Sequence, residues 1–453
     1  MKNRSLAGAV FVLLLGAAAV ARCAEIRASA YRGWKGQAMD NGLVRLQLLP
    51  EIGGRIIQFS LGVNEFFFVH PQLAGTLPPP SRLGPGGSWL NYGGDKLWPA
   101  PQGRGGPEFW PGPPDVVLDA GPYELKVGEA SGPAVSVSFT SEKDPRSGIQ
   151  FSRTVRLENG STHVSFEASM KNIDTKPRRW GIWSHTQLNG GKPGDREFNP
   201  LMKAWCPINP KSHFPNGLNF MAGAKDNPSF RPNFLPGLLR VEYQYRVGKI
   251  GMDSAAGWVA SVNGATGAAF IQRFVFEPGQ EYPDGASVEF WNNGIGRTGS
   301  PGKEKQHKND PDENPFVFES EMLSPFARVN PGETYSWRYD WYAANIGGDY
   351  PVVGCSDAGV VAESFMAVET GGKIRLKGRF GVFYPGSVTA VFTDGSGRKF
   401  RPSTVDAQAT PLKPVVVDVS VDPVAGAKSV TLILTNSQGK VVGELAKAEI
   451  QSK

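Results

Sequence analysis

The stretch from Gly84 to Pro122 constrains the fold of this chain most strongly, because 18 of its 39 residues are glycine or proline. Proline removes a backbone donor and glycine weakens regular elements, so this composition predicts neither a helix nor a central strand. Long ordered connections without secondary structure of their own are usually functional. We therefore expect a long functional loop here.

The side chains of this loop are not those of a disordered linker. Flat aromatic rings lie beside hydrogen-bonding groups, a combination that suits a polar ring such as a sugar. An alternative is that the tryptophans only anchor an ordered loop to the core. The candidate substrate-binding residues of the loop are Asn91, Tyr92, Asp95, Lys96, Trp98, Gln102 and Trp110.

The rest of the chain has the composition of an all-β protein. It contains 56 glycines and 37 prolines, and helical periodicity is scarce. Since 453 residues exceed what one core usually serves, we expect a large domain over residues 25–350 and a smaller one after it. Short alternating runs over residues 370–453 predict an accessory β-sandwich of immunoglobulin-like type.

The first 24 residues have the pattern of a secretory signal peptide. Lys2 and Arg4 precede an apolar run, and Ala19-Val20-Ala21 is the best cleavage site. No later stretch approaches the ~20 apolar residues of a stable membrane span, so we expect an exported protein, periplasmic or secreted. Lipoprotein anchoring at Cys23 is the alternative, although Arg22 fits that pattern poorly.

Charge and motif spacing exclude several classes of partner. The formal net charge is +6, but the basic residues are scattered, so nucleic acid is not a predicted partner. Asp310, Asp312 and Glu313 lack the glycine and the spacing of a calcium-binding hand and are expected in a solvated turn. We predict no metal and no cofactor, and the sequence identifies no protein partner.

Two predicted strands precede the loop and contribute a further candidate binding residue. Residues 41–62 alternate as strand, turn and strand, with Pro50–Gly54 forming the turn. Arg55 follows Gly53-Gly54 at the start of the second strand, where it is placed to contact a ligand. Pairing of Arg55 with a neighbouring carboxylate is the alternative.

Later strands carry the candidate acid–base residues. In residues 178–191, Trp183, His185 and Gln187 alternate onto one face and form a plausible polar floor. A histidine satisfied by a backbone partner is the alternative. Glu319 and Glu321 also share one face of their strand. Spacing alone does not rank these two carboxylates.

Four motifs taken together resemble the galactose-mutarotase-like superfamily. They are GGRI in the first hairpin, the RWGIWSHTQL strand, the ASVEFWNNG strand and a terminal E-x-E…SP…PGE pattern. The segment YGGDKLWPAPQ is similar to an uncharacterised exported bacterial family of that superfamily. The resemblance covers residues 37–345 and implies a large antiparallel β-supersandwich whose concave face binds carbohydrate.

The resemblance also implies site residues. In epimerases of the superfamily a histidine and a glutamate act as acid and base on the sugar, and the matching positions are His185 and Glu319, with Glu321 close behind. The expected substrate arginine has no clear equivalent, although Lys96 or Arg104 stands near its place. Further residues expected to line the cleft are Arg55, Trp183 and Glu289.

The combined prediction is an exported carbohydrate-recognising protein with a concave sugar-binding cleft. Acid–base chemistry of the epimerase type by His185 with Glu319 or Glu321 is one hypothesis. The alternatives are a sugar-binding protein without catalysis and a structural surface module.

Overall fold

Strands make up almost all of the regular structure in this chain. The computed structural model describes residues 23–78, 89–103, 110–192, 194, 196–299, 302–400 and 402–452. Residues 1–22 of the predicted signal peptide, and Arg104, lie outside the described residues. Within them, no helix has the length and apolar character needed to cross a membrane. The only helical elements that we describe are two single 3-10 turns, Pro215–Gly217 and Pro283–Gly285.

The first sheet carries the early hairpin and most of the candidate residues. Its strands, labelled in chain order, are β1 Glu25–Tyr31, β2 Trp34–Asp40, β3 Val44–Leu49, β4 Arg55–Leu61, β5 Asn64–Glu65, β6 Asp95–Ala100, β11 Arg178–Asn189, β13 Asn219–Gly223, β16 Gly248–Met252, β19 Val288–Asn292, β22 Val317–Leu323 and β23 Ala327–Val329. The spatial order is β1-β2-β3-β4-β6-β11-β22-β19-β16-β13. Strand β5 pairs with β4, and β23 pairs with β11.

The second sheet packs against the first. Its strands are β7 Tyr123–Val127, β8 Ala134–Ser141, β9 Ile149–Glu158, β10 Val164–Asn172, β12 Met202–Pro207, β14 Phe230–Leu235, β15 Leu238–Glu242, β17 Trp258–Asn263, β18 Ala268–Phe274 and β24 Thr334–Asn345. Their order is β14-β15-β12-β17-β18-β24-β10-β9-β8-β7. A separate two-stranded ribbon consists of β20 Gly296–Thr298 and β21 Lys305–His307.

Aromatic side chains fill the space between the two large sheets. Phe59 and Phe67, on the side of the first sheet, contact Phe270 and Trp341 of the second. The ring centroids of these pairs are 5.4–5.7 Å apart. All four are buried. Burial of this much apolar surface is the main force that holds the sandwich together.

The glycine- and proline-rich stretch contains a strand that the sequence did not predict. Strand β6 lies between β4 and β11 in the first sheet, so the prediction of no central strand there is wrong. Its pairing with β4 is limited to Ile56 opposite Asp95, whereas it pairs with β11 along its length. Pro99 therefore lies where one side of the strand has no partner, a position that tolerates the missing N–H.

The C-terminal part forms a third sheet with its own core. Its strands are β25 Gly354–Cys355, β26 Gly359–Thr370, β27 Lys373–Val382, β28 Gly386–Asp394, β29 Ser403–Ala409, β30 Val415–Val421, β31 Ala427–Asn436 and β32 Val441–Ser452. A separate apolar cluster, which includes Phe380, Val417 and Leu432, is enclosed by these strands. The predicted all-β architecture, a large antiparallel sandwich followed by a smaller β-sandwich, is confirmed. The exact domain limits at residues 350 and 370 stay a prediction.

His163 lies where the second sheet meets the C-terminal sheet. Its ring stacks on Tyr342 at 4.7 Å, and Tyr342 in turn stacks on Phe383 at 4.4 Å. His163 Nε2 is 2.6 Å from an Asp340 oxygen, and Nδ1 is 3.3 Å from Glu158. Burial alone would lower the pKa of His163, but these two carboxylates outweigh burial and raise it to about 9.

Replacing His163 by glutamine is therefore expected to destabilise the protein most at low pH. The raised pKa favours the folded state fully below the unfolded pKa of about 6.5, on the order of 3 kcal/mol, and this contribution is lost as pH rises through about 9. Urea unfolding of the parent and His163→Gln at pH 5.5 and 9.5 measures the difference. An equal difference at both pH values would contradict the proposed ion pairs.

Candidate functional site

Strand order brings four ionisable side chains into one line across the first sheet. Register pairs His185 of β11 with Lys96 of β6 on one side and with Glu321 of β22 on the other. Glu321 is in turn opposite Glu289 of β19. Directly opposite residues of antiparallel strands share a face, with Cβ atoms about 5 Å apart. We call Lys96, His185, Glu321 and Glu289 the polar row.

Neighbouring positions on the same face extend this surface. Trp98 is opposite Trp183, and Gln187 is opposite Glu319. Trp291 of β19 is the other neighbour of Glu319. Alternate residues of a strand point to the same face, which accounts for this set. The sequence predicted such a common face for Trp183, His185 and Gln187, and for Glu319 with Glu321.

His185 is the centre of the site. Its Nδ1 lies 2.9 Å from Lys96 Nζ, and its Nε2 lies 3.4 Å from Glu319 Oε2 and 3.5 Å from Glu321 Oε1. The ring centroid is 4.1 Å from that of Trp98. Burial, and then the charge of Lys96, lowers the pKa of His185 well below its ordinary value. The imidazole is therefore neutral at neutral pH.

Lys96 determines which ring nitrogen of His185 carries the proton. A protonated lysine only donates, so in the charged state of Lys96 His185 Nδ1 accepts from it and the ring proton lies on Nε2. The Lys96 ammonium is fully buried and lies 4.6 Å from the ring centroid of Trp98. Burial, with Arg55 nearby, lowers the pKa of Lys96 to about 7. Lys96 can thus release and regain a proton near neutrality.

Lys249 of β16 is a site residue that the sequence analysis missed. Its Nζ lies 2.6 Å from Glu289 Oε2 and 3.1 Å from Glu321 Oε2, and 4.4 Å from the Trp183 ring centroid. Burial would lower the pKa of Lys249, but Glu289 and Glu321 outweigh it, so the pKa is raised and the ammonium is held charged. Only the strand order reveals this contact, because β16 is far in sequence from β22.

The pKa values of the two buried carboxylates of the polar row are raised. Burial raises the pKa of Glu321, and Lys249 and His185 offset this only in part. Burial likewise raises the pKa of Glu289, against the effect of Lys249. This pair therefore retains a proton to higher pH than a solvated carboxylate does.

Asp119, also missed from the sequence, joins the aromatic residues to Arg55. Its carboxylate accepts hydrogen bonds from Arg55 Nη2 at 2.9 Å, Trp89 Nε1 at 2.9 Å and Trp98 Nε1 at 3.2 Å. Arg55 is fully buried and also donates to the carbonyl oxygen of Gly93 at 2.8 Å. Arg55 thus pairs with a carboxylate, which was the alternative given for it in the sequence analysis. Asp119 fixes the orientation of two tryptophans beside the polar row.

Several predicted binding residues lie elsewhere. Asp95 occupies the opposite face of β6, fully buried between the sheets, where it pairs with Arg153 and accepts from Thr186. Its alternation with Lys96 makes a shared face impossible. Tyr92 packs with Trp34 in a separate apolar cluster.

The remaining loop residues differ in exposure. Asn91 is half-buried and accepts from the Gly93 amide, and Gln102 is exposed. Trp110 is buried, 5.0 Å from Trp98 between ring centroids, and donates to Asp115. The structure therefore joins Trp110 to the site through Trp98 and gives Asn91 and Gln102 no contact with the polar row.

The site combines a neutral imidazole, carboxylates and buried lysines on one surface. One atom each from His185, Glu319 and Glu321 lies within 4.8 Å of the others. Such a set can exchange protons with a bound hydroxyl compound, and it has the donor types that bind divalent cations. The flanking tryptophans supply flat apolar faces beside it.

The solved structures that this chain resembles are distant from it in sequence. No protein-family model matches the chain. A galactose mutarotase-like protein from Lactobacillus casei is similar at 10% identity and a TM-score of 0.41, with 68% of this chain and 99% of that chain covered. A galactose mutarotase-like protein from Clostridium acetobutylicum gives 10% identity, 71% and 99% coverage and a TM-score of 0.40.

A longer protein shows a similar level of likeness. A TPR-domain containing protein from Parabacteroides distasonis is 13% identical with a TM-score of 0.45, and 70% of this chain is covered. The chain spans about half of that protein, 48% of its length.

Proposed function

We propose that the protein binds a carbohydrate on the surface formed by the polar row and its tryptophans, and that it interconverts the anomers of an aldose. The observation that carries the proposal is the convergence of His185 Nε2 with carboxylate oxygens of Glu319 and Glu321, next to Trp98. Export through residues 1–24 belongs to the same proposal, and N-terminal sequencing of the mature protein tests it.

Anomer exchange needs one group to give a proton to the ring oxygen and another to take the proton of the anomeric hydroxyl. His185 presents its Nε2 proton to the ring oxygen. Lys96, 2.9 Å from Nδ1, supplies the replacement proton, so the imidazole never becomes an anion. Glu319 takes the hydroxyl proton, and ring closure on the other face reverses each transfer.

Glu319 suits the role of base better than Glu321. It is 7% exposed, whereas Glu321 is fully buried and faces Lys249. Gln187 Nε2 donates to Glu319 Oε1 at 2.6 Å, which orients the carboxylate and leaves Oε2 directed at His185. Glu321 and Glu289 then contribute negative charge beside His185 and Lys249 and transfer no proton themselves.

The exchange rate of freshly dissolved aldoses, followed by polarimetry or NMR magnetisation transfer, tests the proposal. We expect the parent to accelerate exchange of at least one aldose and His185→Gln to be slower by about 10²–10⁴-fold, the usual contribution of a positioned acid or base. His213→Gln is the matched control, because His213 is exposed and lies on a different element. An unchanged rate in His185→Gln would reject the acid role.

A binding protein without catalysis is the second candidate. Lys249 is paired with both Glu289 and Glu321, which favours a surface that holds hydroxyl groups and transfers no proton. Calorimetric titration of a glycan panel separates the candidates when Trp98→Ala is compared with the parent. Binding that depends on Trp98, with no exchange of any bound aldose, would favour this second candidate.

A further inference from the structure

We propose that His185 Nε2, Glu319 Oε2 and Glu321 Oε1 form a binding site for one divalent transition-metal cation, with zinc as the probe. The three residues come from two neighbouring strands, and one ligand atom from each lies within 4.8 Å of the other two. This inference goes beyond the proposed function and does not depend on it, since a cation is measured without any sugar.

The separations between these atoms match a metal site better than a hydrogen-bonded one. Nε2 is 3.4 Å from Glu319 Oε2 and 3.5 Å from Glu321 Oε1. An N–H···O hydrogen bond is about 2.7–3.2 Å long. Two ligands of a tetrahedral zinc, each bonded at about 2.1 Å, lie about 3.4 Å apart. The two distances from Nε2 match the edge of such a tetrahedron.

Each of the three side chains has its other polar atom already engaged. His185 Nδ1 faces Lys96, Glu319 Oε1 accepts from Gln187, and Glu321 Oε2 faces Lys249. Outer contacts of this kind orient metal ligands before the ion arrives. The three atoms left free are the three that converge.

Glu321 supplies a second, independent indication of a ligand. Its side chain is fully buried, and Oε1, unlike Oε2 beside Lys249, has no hydrogen-bond partner among the described residues. A buried polar atom without a partner is costly and calls for a specific explanation. A cation at the proposed position would satisfy Glu321 Oε1.

Charge and donor type select the class of ion. Lys249 contacts Glu289 and Glu321, whereas Glu319 faces His185 and has no cation within ion-pair distance among the described residues. One imidazole with two carboxylates suits zinc or manganese, whereas calcium takes six to eight oxygen ligands. The proton on Nε2 must leave when a cation binds, and Nδ1 then takes a proton from Lys96, whose neutral amine accepts the Nδ1–H hydrogen bond.

The bound ion has a predictable effect on the proposed exchange reaction. A cation on Nε2 occupies the atom that gives the proton to the sugar. Zinc therefore inhibits metal-free anomer exchange, and a chelator restores it. Because binding is measured without sugar and exchange is measured with chelator, failure of one proposal is distinguishable from failure of the other.

Calorimetric titration of the chelator-treated full-length protein with zinc chloride tests the site. We expect one equivalent to bind to the parent and to His213→Gln, and at least tenfold weaker binding to Glu319→Gln and to Glu321→Gln. Glu319→Gln keeps the test valid if the buried Glu321→Gln fails to fold. Unchanged binding in Glu319→Gln, or no binding by the parent, would overturn the proposal.

Discussion

Arg153→Met is expected to lower the free energy of unfolding by about 3–5 kcal/mol, because it leaves the carboxylate of Asp95 buried without its counter-charge. Arg153 reaches from β9 of the second sheet to Asp95 of β6 in the first, and both side chains are at most 2% exposed. Arg153 Nη2 also donates to the carbonyl oxygen of Gly54 at 3.0 Å. Because both side chains are buried, bulk solvent cannot replace these contacts.

Arg156→Met is the matched control for this prediction. Arg156 is on the same strand and undergoes the same change, but its partner Glu129 is 54% exposed and its own side chain 35%. A surface pair of this kind contributes roughly 0–1 kcal/mol. Urea unfolding followed by tryptophan fluorescence compares the variants. A similar small loss in both would contradict a buried, strongly coupled pair.

The double variant Arg153→Met/Asp95→Asn sharpens the same test. Removing both charges takes away the uncompensated carboxylate, so the double variant is expected to be more stable than Arg153→Met alone. If it is instead less stable by the sum of the single losses, the two residues are not coupled.

Asp119→Asn is expected to destabilise the protein by about 3 kcal/mol and to disturb the tryptophans of the site. The change removes the counter-charge of Arg55, which is fully buried, while keeping the size of the side chain. Burial already lowers the pKa of Arg55 despite Asp119. Weaker orientation of Trp98 should reduce affinity for any sugar that stacks on it.

Asp115→Asn is the control within the same segment. Asp115 also accepts from a tryptophan, Trp110, at 2.7 Å, but its cation Arg146 is 42% exposed and can be solvated. Urea unfolding and intrinsic fluorescence of the two variants give the comparison. Equal effects of the two substitutions would mean that charge compensation of Arg55 is not the cause.

The sequence predicted which side chains share a face of one strand, but it did not predict which side chains of different strands are in contact. The patterns around His185 and around Glu319 and Glu321 correctly placed these side chains on common faces, because the period of two is local. Lys249, Asp119 and Arg153 escaped notice because their partners lie tens of residues away, and spatial strand order is not written in any one segment. Glycine and proline concealed β6 altogether.

Because β6 was not predicted from the sequence, the roles of Asp95 and Lys96 could not be distinguished. Without a strand, Asp95 and Lys96 appeared as equal candidates in one loop, whereas in the sheet they point in opposite directions. One side chain stabilises the interior and the other contacts His185. Overall composition predicted the all-β class, and the choice between two adjacent residues required the sheet.

The two faces of β6 make the interior ion pair a guide for strand alignment. A slip of β6 by one residue would turn Lys96 inward and carry Asp95 toward His185. Such a slip would also part Asp95 from Arg153 and leave the buried Arg153 guanidinium beside the ammonium of Lys96. The Arg153–Asp95 pair between the sheets thus stabilises one register of β6 over its alternatives. Arg153, which lies away from the polar row, thereby ensures that Lys96 lies beside His185.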